Sequence, residues 1–148
     1  MIRNEIVAHF DRPVEEVFSY VDNDDKVKLW IGGLLETKRT TSGTPGVGSR
    51  FHQKLQIGKR VMELDGELLE YQKNRRVRVK MNFDQGEMNV TYNFKESGGC
   101  TELAYTCDSQ YRSFFYRLLS PLIKRMAQQK LREDFARLHG LLQPARPH

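Results

Sequence analysis

Most of this chain divides into two long stretches with different spacing of apolar residues, and this division restricts the folds open to it. From Leu34 to about Asp108 apolar and polar residues alternate, which predicts β-strands with one buried and one solvated face. From about Ser113 to Leu142 apolar residues recur at every third or fourth position, which predicts a helix. At ~1.5 Å per residue this helix would be ~45 Å long, enough to cross a sheet. The pattern therefore predicts an α+β protein with an antiparallel sheet and one long C-terminal helix.

The segment before the sheet predicts one strand and two short helices. Apolar residues alternate from Ile2 to Phe10, and Pro13 then offers a helix start followed by apolar residues at helical spacing. Asn23 can cap a second helix, which ends near Trp30 before two glycines. A curved sheet can wrap around one long helix, but one helix fills its concave face only partly. We therefore expect an apolar cavity between the sheet and the helices, a place where small hydrophobic ligands bind.

Six to seven strands are predicted in all. Three local features add detail, two in the sheet and one in the long helix. The clearest hairpin joins residues 77–83 to residues 88–94, since both alternate and a polar turn with a glycine separates them. A β-bulge is expected at Gly66. Pro121 is expected to kink the long helix or to mark the end of an introductory turn, because proline removes one backbone donor.

The positive charge of the chain is concentrated in its C-terminal segment. Residues 112–148 carry eight basic and two acidic residues, or +6, whereas residues 1–111 carry 16 basic and 17 acidic residues, or −1. Two interpretations stay open. The segment is either a solvated helix face, or a surface attracted to an anionic membrane, a nucleic acid or an acidic partner.

Composition and cysteine usage indicate the cellular compartment of the protein. Cys100 and Cys107 lack CxxC spacing and a nearby histidine, which favours reduced thiols in the cytosol over a zinc site or a disulfide framework. No apolar run approaches the ~20 residues that span a bilayer, and the N-terminal sequence lacks the apolar region of a signal peptide. The 148 residues fit one domain. We therefore expect a soluble, cytoplasmic, single-domain protein.

Five short motifs follow one another along nearly the whole chain. They are AHFDRPVEEVF at 8–18, WIGGLLE at 30–36, GVGSRF at 46–51, LLSPL at 118–122 and DFARL at 134–138. In this order they resemble the START-like, birch-pollen-allergen-like (SRPBCC) superfamily with its helix-grip fold. Within that superfamily the chain is most similar to the polyketide cyclase/dehydrase and lipid-transport group.

The resemblance implies a curved antiparallel sheet wrapped around the C-terminal helix in a single domain, residues 1–143, with a flexible tail at 144–148. It implies a ligand class rather than a reaction, because the members include lipid or isoprenoid carriers, aromatase/cyclases and a chaperone-activating branch. One departure is His139-Gly140, which stands where a lysine-rich helix end is usual. Gly140 is therefore expected to end the helix early.

No catalytic constellation can be identified in the sequence, which leaves the catalytic residues unknown and favours a protein that is not an enzyme; no metal site and no cofactor are predicted. Gly46-Val47-Gly48 is interpreted as a β-turn, because neither a third glycine nor Lys-Ser/Thr follows it at nucleotide-binding spacing. The four histidines lie at polar, helix-end or tail positions, which favours solvated side chains. An inward carboxylate would be a candidate general base. However, the charged residues of two neighbouring strands alternate with apolar ones, so we assign them to a solvated sheet face and predict no nucleic-acid binding. These residues are Glu63, Asp65, Glu67 and Glu70, and Arg75, Arg76, Arg78 and Lys80.

Inward-facing aromatic, methionine and aliphatic residues are the candidates for a pocket wall. Ordinary core packing is the competing interpretation for each of them, and Tyr92 and Tyr105 could each aim a hydroxyl at a polar group on a ligand. The leading hypothesis is binding of a small hydrophobic ligand, such as a lipid, isoprenoid or polyketide-like molecule. The alternatives are a cyclase or dehydratase and a membrane-surface or chaperone-interaction protein that uses the basic helix; the oligomeric state is left open. The predicted pocket residues are Trp30, Phe51, Leu64, Val79, Met81, Met88, Tyr92, Tyr105, Phe115, Leu119 and Met126.

Overall fold

A computed structural model describes residues 1–143 of the chain; the predicted tail, residues 144–148, lies outside the described residues. The described chain contains seven strands and four helices in the predicted order. In chain order these are β1 (Ile2–Phe10), α1 (Val14–Asp22), α2 (Asp24–Trp30), β2 (Leu34–Arg39), β3 (Arg50–Ile57), β4 (Arg60–Gln72), β5 (Arg76–Phe83), β6 (Gly86–Ser97), β7 (Cys100–Tyr111), α3 (Phe114–Leu118) and α4 (Ser120–Leu141).

The seven strands form one curved antiparallel sheet in the order β1-β7-β6-β5-β4-β3-β2. Strands β2 to β7 pair with their neighbours in sequence, whereas β1 crosses over to pair with β7. The long helix α4 lies on the concave face, and α1 and α2 connect β1 to β2. This arrangement confirms the predicted helix-grip architecture.

Local sequence explains both short helices. Proline precedes α1, and Glu15 and Glu16 lie in its first turn, where the positive end of the helix dipole stabilises carboxylates. The side chain of Asn23 caps α2, because its oxygen accepts hydrogen bonds from the backbone N–H groups of Asp25 at 2.9 Å and Lys26 at 3.1 Å. The predicted cap at Asn23 is therefore present.

The predicted C-terminal helix is divided in two at Leu119, which separates α3 from α4. Pro121 occupies the first turn of α4, where its missing N–H leaves no intrahelical bond unmade. Of the two expectations for this proline, the end of an introductory turn is confirmed. The helix does not end early at Gly140, since α4 continues through it to Leu141.

Hydrogen bonds from β1 hold α4 along one side of the sheet. The side-chain amide of Asn4 donates to the Lys124 carbonyl at 3.0 Å and to the Gln128 side-chain oxygen at 2.9 Å. The Gln128 amide in turn donates to the Glu5 carbonyl at 2.9 Å. The helix therefore lies close to β1 and, further along, to α2, instead of filling the middle of the concave face.

The bulge lies at a different place from the one predicted. Gly66 pairs regularly with both of its neighbouring strands, and the register shifts between Leu68 and Glu70 instead. The glycine serves another purpose, because the ring of Phe51 lies where a Cβ atom of residue 66 would be, with Cζ 2.2 Å from that point. Close ring approach, and not a bulge, accounts for glycine at this position.

Candidate functional site

An open cavity of about 1490 Å³ lies between the concave face of the sheet, α2 and the first half of α4. It exists because α4 is held against β1 and α2, which leaves the middle strands uncovered. Typical small-molecule pockets measure roughly 300–1,000 Å³. The cavity is therefore large enough for a molecule of lipid size.

Three cross-strand rows of side chains form the sheet wall of this cavity. Because paired residues on antiparallel strands point to the same face, the register brings together residues that are far apart in sequence. The rows are Phe51-Gly66-Met81-Met88-Ser109, Leu68-Val79-Val90-Cys107-Asn4 and Tyr71-Val77-Tyr92-Tyr105-Ile6, and most of their residues line the cavity.

Aromatic rings close one end of the cavity. The rings of Tyr92 and Tyr105 meet edge to face at 5.1 Å, and Tyr105 contacts Phe135 of α4 at 5.5 Å. Phe135 in turn packs edge-on against Trp30 at 5.5 Å. The indole N–H of Trp30 donates to the Tyr20 carbonyl at 2.8 Å, which satisfies the polar atom of this buried ring. These contacts join the sheet, α2 and α4 at the closed end.

Four neighbouring polar side chains of the sheet wall lie on β6 and β7. Tyr92, Tyr105, Cys107 and Ser109 all line the cavity, and we call these four residues the polar stripe. The Cys107 sulfur lies 3.7 Å from the Ser109 hydroxyl. Burial raises the pKa of Tyr92, Tyr105 and Cys107, because the low-polarity surroundings disfavour phenolate and thiolate. The stripe therefore presents protonated, uncharged hydroxyl and thiol groups to the cavity at neutral pH.

Asp134 is a buried carboxylate on the helix side of the cavity that the sequence analysis did not identify. One of its oxygens accepts from the backbone N–H of Gly32 at 3.0 Å and from the Arg137 guanidinium at 3.2 Å, and the other accepts from Lys130 at 2.5 Å. Arg137 also donates to the Trp30 carbonyl at 2.8 Å. Because both oxygens are engaged, Asp134 ties α4 to α2. The sequence signal that could have identified Asp134 is its position, since it is an acidic residue among the buried apolar residues of the helix.

Charged and polar groups surround one part of the rim, where α2 faces β2 and β4. Tyr71 donates its hydroxyl hydrogen to the Asp22 carboxylate at 3.0 Å. Burial raises the pKa of Asp24, an effect that the nearby Arg39 opposes. Burial and the Asp22 carboxylate raise the pKa of Tyr71 to about 12. The Tyr71 hydroxyl, unlike that of Tyr92, is thus already engaged by a protein partner.

The structure brings most of the predicted pocket residues to the cavity and leaves two outside it. Phe115 and Leu119 do not line the cavity, and Phe115 is 63% exposed. The reason is the division at Leu119, which ends the regular helical phase that placed both residues on the inner face. The predicted residues that do line the cavity are Trp30, Phe51, Leu64, Val79, Met81, Met88, Tyr92, Tyr105 and Met126.

The carboxylates considered as general bases lie on the outer face of the sheet. Asp65 and Glu63 contact the two ring nitrogens of His52, at 2.8 and 3.3 Å. The Asp65 hydrogen bond is the main cause that raises the pKa of His52. Glu67 and Glu70 pair with Arg50 and Arg76 in the same manner. These side chains form a solvated charge network, as their alternation with apolar residues predicted.

Metal-binding clusters and membrane-spanning helices are both absent from the described part of the chain. Among residues 1–143, no three His, Cys, Asp or Glu side chains are grouped so that they could hold a metal ion. None of the helices within that range is both long and apolar enough to cross a membrane. Cys100 and Cys107 are both free thiols.

Comparison with known proteins agrees with this geometry. The family described as polyketide cyclase / dehydrase and lipid transport matches residues 1–142, which is nearly the whole chain. The chain belongs to this family. No curated protein sequence matches it.

Several solved structures share the fold of this chain. A START superfamily protein from Mycobacterium smegmatis is 12% identical, with a TM-score of 0.80 over 96% of this chain and 97% of that one. The protein TTHA0849 from Thermus thermophilus is 15% identical, with a TM-score of 0.79 over 95% and 96%. Ara h 8.0201 is 12% identical, with a TM-score of 0.72 over 95% and 96%. At these identities the likeness concerns the helix-grip fold alone.

Proposed function

We propose that this protein binds a small hydrophobic molecule, such as a lipid, an isoprenoid or a polyketide-like compound, in the cavity between α4 and the sheet. The observation that carries the proposal is the cavity itself, about 1490 Å³ with a sheet wall of mainly apolar side chains. Removing apolar ligand surface from water favours binding by roughly 25 cal/mol per Å². Family membership supports the same ligand class.

A cyclase or dehydratase is the other function that the family suggests, and the site favours it less. Such chemistry needs an acid or base that is free to meet the substrate. Glu63 and Asp65 lie on the outer face with His52, and both oxygens of Asp134 are engaged by protein donors. Of the other carboxylates that line the cavity, Asp22 accepts from Tyr71, Glu133 accepts from Gln129, and Asp24 is exposed at the rim. Binding therefore remains our proposal, with the ligand oriented by hydroxyl groups of the wall.

Blocking the cavity tests the proposal. Native mass spectrometry of the protein purified from its own host, followed by organic extraction, should detect a bound mass of a few hundred daltons. Met81→Trp places an indole in the middle of the wall and should remove that mass, whereas Val61→Trp adds the same ring at a position that is 53% exposed on β4 and should retain it. Equal occupancy in the two variants would contradict the assignment of the site.

The two thiols provide a second readout when no ligand copurifies. Cys107 lines the cavity, whereas Cys100 is exposed near the β6–β7 turn. Added fluorene, an apolar probe, should slow the reaction of Cys107 with N-ethylmaleimide several-fold and leave Cys100 unchanged. If saturating fluorene protects neither thiol or both equally, the cavity is not a hydrophobic binding site.

A second candidate function is contact with an anionic membrane surface. Five apolar residues of α3 and the first half of α4 are exposed, and residues 112–132 around them contain six basic residues and no acidic ones. Met126 lines the cavity and is also exposed, so this surface adjoins the binding site. Sedimentation with anionic vesicles tests the contact. We call the five residues the α3–α4 patch: Phe114, Phe115, Leu118, Leu122 and Met126.

A further inference from the structure

The hydroxyl of Tyr92 forms no hydrogen bond with the part of the protein that the structure describes. Tyr92 is only 8% exposed and lines the cavity, yet its hydroxyl bonds to no other group within residues 1–143. Tyr71, which lines the same cavity, donates to Asp22. Among residues 1–143, the fully buried side-chain polar atom without a partner is the Asn74 oxygen, so the Tyr92 hydroxyl is open to the cavity and not sealed in the core. The Tyr92 hydroxyl is therefore available for a group on a bound molecule.

Tyr92 does not stand alone, because the register places three more polar groups beside it. Tyr105 pairs directly with Tyr92, and Cys107 and Ser109 follow on the same face of β7. The Cys107 thiol lies close enough to the Tyr105 hydroxyl to influence its pKa. The stripe begins at the aromatic closed end of the cavity, where Tyr105 contacts Phe135. A ligand that fills the cavity would bring its inner end to these groups.

The protonation of the stripe indicates what it can bind. Burial raises the pKa of both tyrosines and of Cys107, so all three keep their hydrogens at neutral pH. A phenol is a better hydrogen-bond donor than acceptor, because its oxygen lone pair is delocalised into the ring. The stripe is therefore best matched by a hydrogen-bond acceptor on the ligand.

The charges nearest the stripe favour an uncharged acceptor over an anionic one. The Asp134 carboxylate is close enough to contribute to the raised pKa of both tyrosines. The cations beside it, Lys130 and Arg137, are already bonded to that carboxylate. A ligand carboxylate or phosphate at the stripe would thus be desolvated near the Asp134 carboxylate, and the two cations bonded to that carboxylate are already paired.

We infer that the polar stripe binds an uncharged carbonyl oxygen at the inner end of the ligand, with Tyr92 and Tyr105 as the donors. The ligand class is then an apolar molecule that carries a ketone, quinone, aldehyde or ester group. Its apolar body would extend over Val79, Met81 and Met88 toward the first half of α4. This inference rests on the proposed binding function and adds the chemistry of the ligand to it.

Fluorenone and fluorene test the inference, because they share one shape and differ by a carbonyl in place of a methylene. Dissociation constants for both are measured on the wild-type protein, on Tyr92→Phe, on Tyr92→Phe/Tyr105→Phe and on Tyr20→Phe. Tyr20→Phe is the matched control, since Tyr20 belongs to α1 and does not line the cavity. The double variant should weaken fluorenone binding about five- to tenfold and leave fluorene binding unchanged. Tyr20→Phe should alter neither constant.

Infrared spectroscopy gives a readout that does not depend on the variants. The carbonyl band of fluorenone lies above the amide band of the protein and moves to lower frequency when the oxygen accepts a hydrogen bond. We expect that shift on binding to the wild-type protein and its loss in Tyr92→Phe/Tyr105→Phe.

The possible outcomes separate this inference from the proposed function. If both probes bind, with no carbonyl shift and no selective loss in the double variant, the inference is wrong and the binding function stands. If neither probe binds and neither protects Cys107 from N-ethylmaleimide, both are wrong. A shifted band that persists in the double variant would overturn the assignment of the donors.

Discussion

Gly66 lies under the ring of Phe51, and this contact shapes the wall of the cavity. A Cβ atom at position 66 would meet three ring carbons of Phe51 at 2.2, 2.5 and 2.6 Å. The two residues are paired across β3 and β4, so the ring cannot move away without leaving its row. At the scale of single residues, a missing side chain on one strand thus determines where an aromatic ring lies on the next.

Gly66→Ala should therefore destabilise the fold by about 2 kcal/mol, as overpacked cores do. Urea unfolding measures the change. Gly46→Ala is the matched control, since a Cβ there meets no atom within 4 Å, and it should change stability little. In Gly66→Ala/Phe51→Ala the loss should be smaller than the sum of the two single losses, because the clash is gone. Additive losses would contradict the contact.

At the scale of elements, the position of α4 decides whether a cavity exists. Its first half is held by Asn4 of β1 and its second half by the group of Asp134, Lys130 and Arg137, which reaches Gly32. Apolar burial adds to the second half only, where Leu131, Phe135 and Leu138 are buried. The C-terminal half of the helix is thus anchored by apolar packing as well as polar contacts, whereas the N-terminal half is held by hydrogen bonds to β1 beside the open cavity.

Asp134→Asn should weaken the anchor of α4, because it leaves Lys130 and Arg137 without their carboxylate. We expect a loss of about 1–3 kcal/mol in the free energy of unfolding, less than for a fully buried ion pair since both cations are partly exposed. Glu133→Gln is the matched control, because the Glu133 carboxylate, next to Asp134 in sequence, is exposed and accepts a hydrogen bond from Gln129. Equal losses in the two variants would show that the Asp134 contacts do not anchor the helix.

At the scale of the whole molecule, an apolar cavity and an exposed apolar surface adjoin one another. The α3–α4 patch shares Met126 with the cavity rim, and the basic residues around it complement anionic lipid. A hydrophobic ligand could then pass between cavity and membrane without crossing much water. Within the proposed function, membrane contact would be the step that precedes loading or release.

Leu122→Glu should lower binding to vesicles of phosphatidylglycerol and phosphatidylcholine more than tenfold. The change removes an apolar contact and adds a negative charge, each worth about 1 kcal/mol or more at such a surface. Leu29→Glu on α2 is the matched control, because Leu29 and Leu122 are 52% and 53% exposed. Binding of the wild-type protein should also fade as salt is added. Absent or salt-insensitive binding, or equal losses in both variants, would refute membrane contact.

How much the sequence predicted follows from the range of each interaction. The order of elements, the cap at Asn23 and the outward direction of Glu63 and Asp65 depend on neighbours along the chain, and periodicity was enough to predict them. The inward parity of Tyr92 and Tyr105 was predictable for the same reason. The prediction for Phe115 was wrong because the break at Leu119 ends the continuous helix, so the residues of α3 no longer keep the helical phase of α4.

The sequence by itself determined the α+β architecture, its single sheet and the apolar character of the inner face, since periodic patterns are local and repeat many times. Tertiary structure alone decided the distance of α4 from the sheet, the ring of Phe51 over Gly66 and the partners of Asp134. It also decided that Tyr92 would lie beside Tyr105 with a free hydroxyl. These features depend on contacts between residues far apart in the chain, and no local pattern records such contacts.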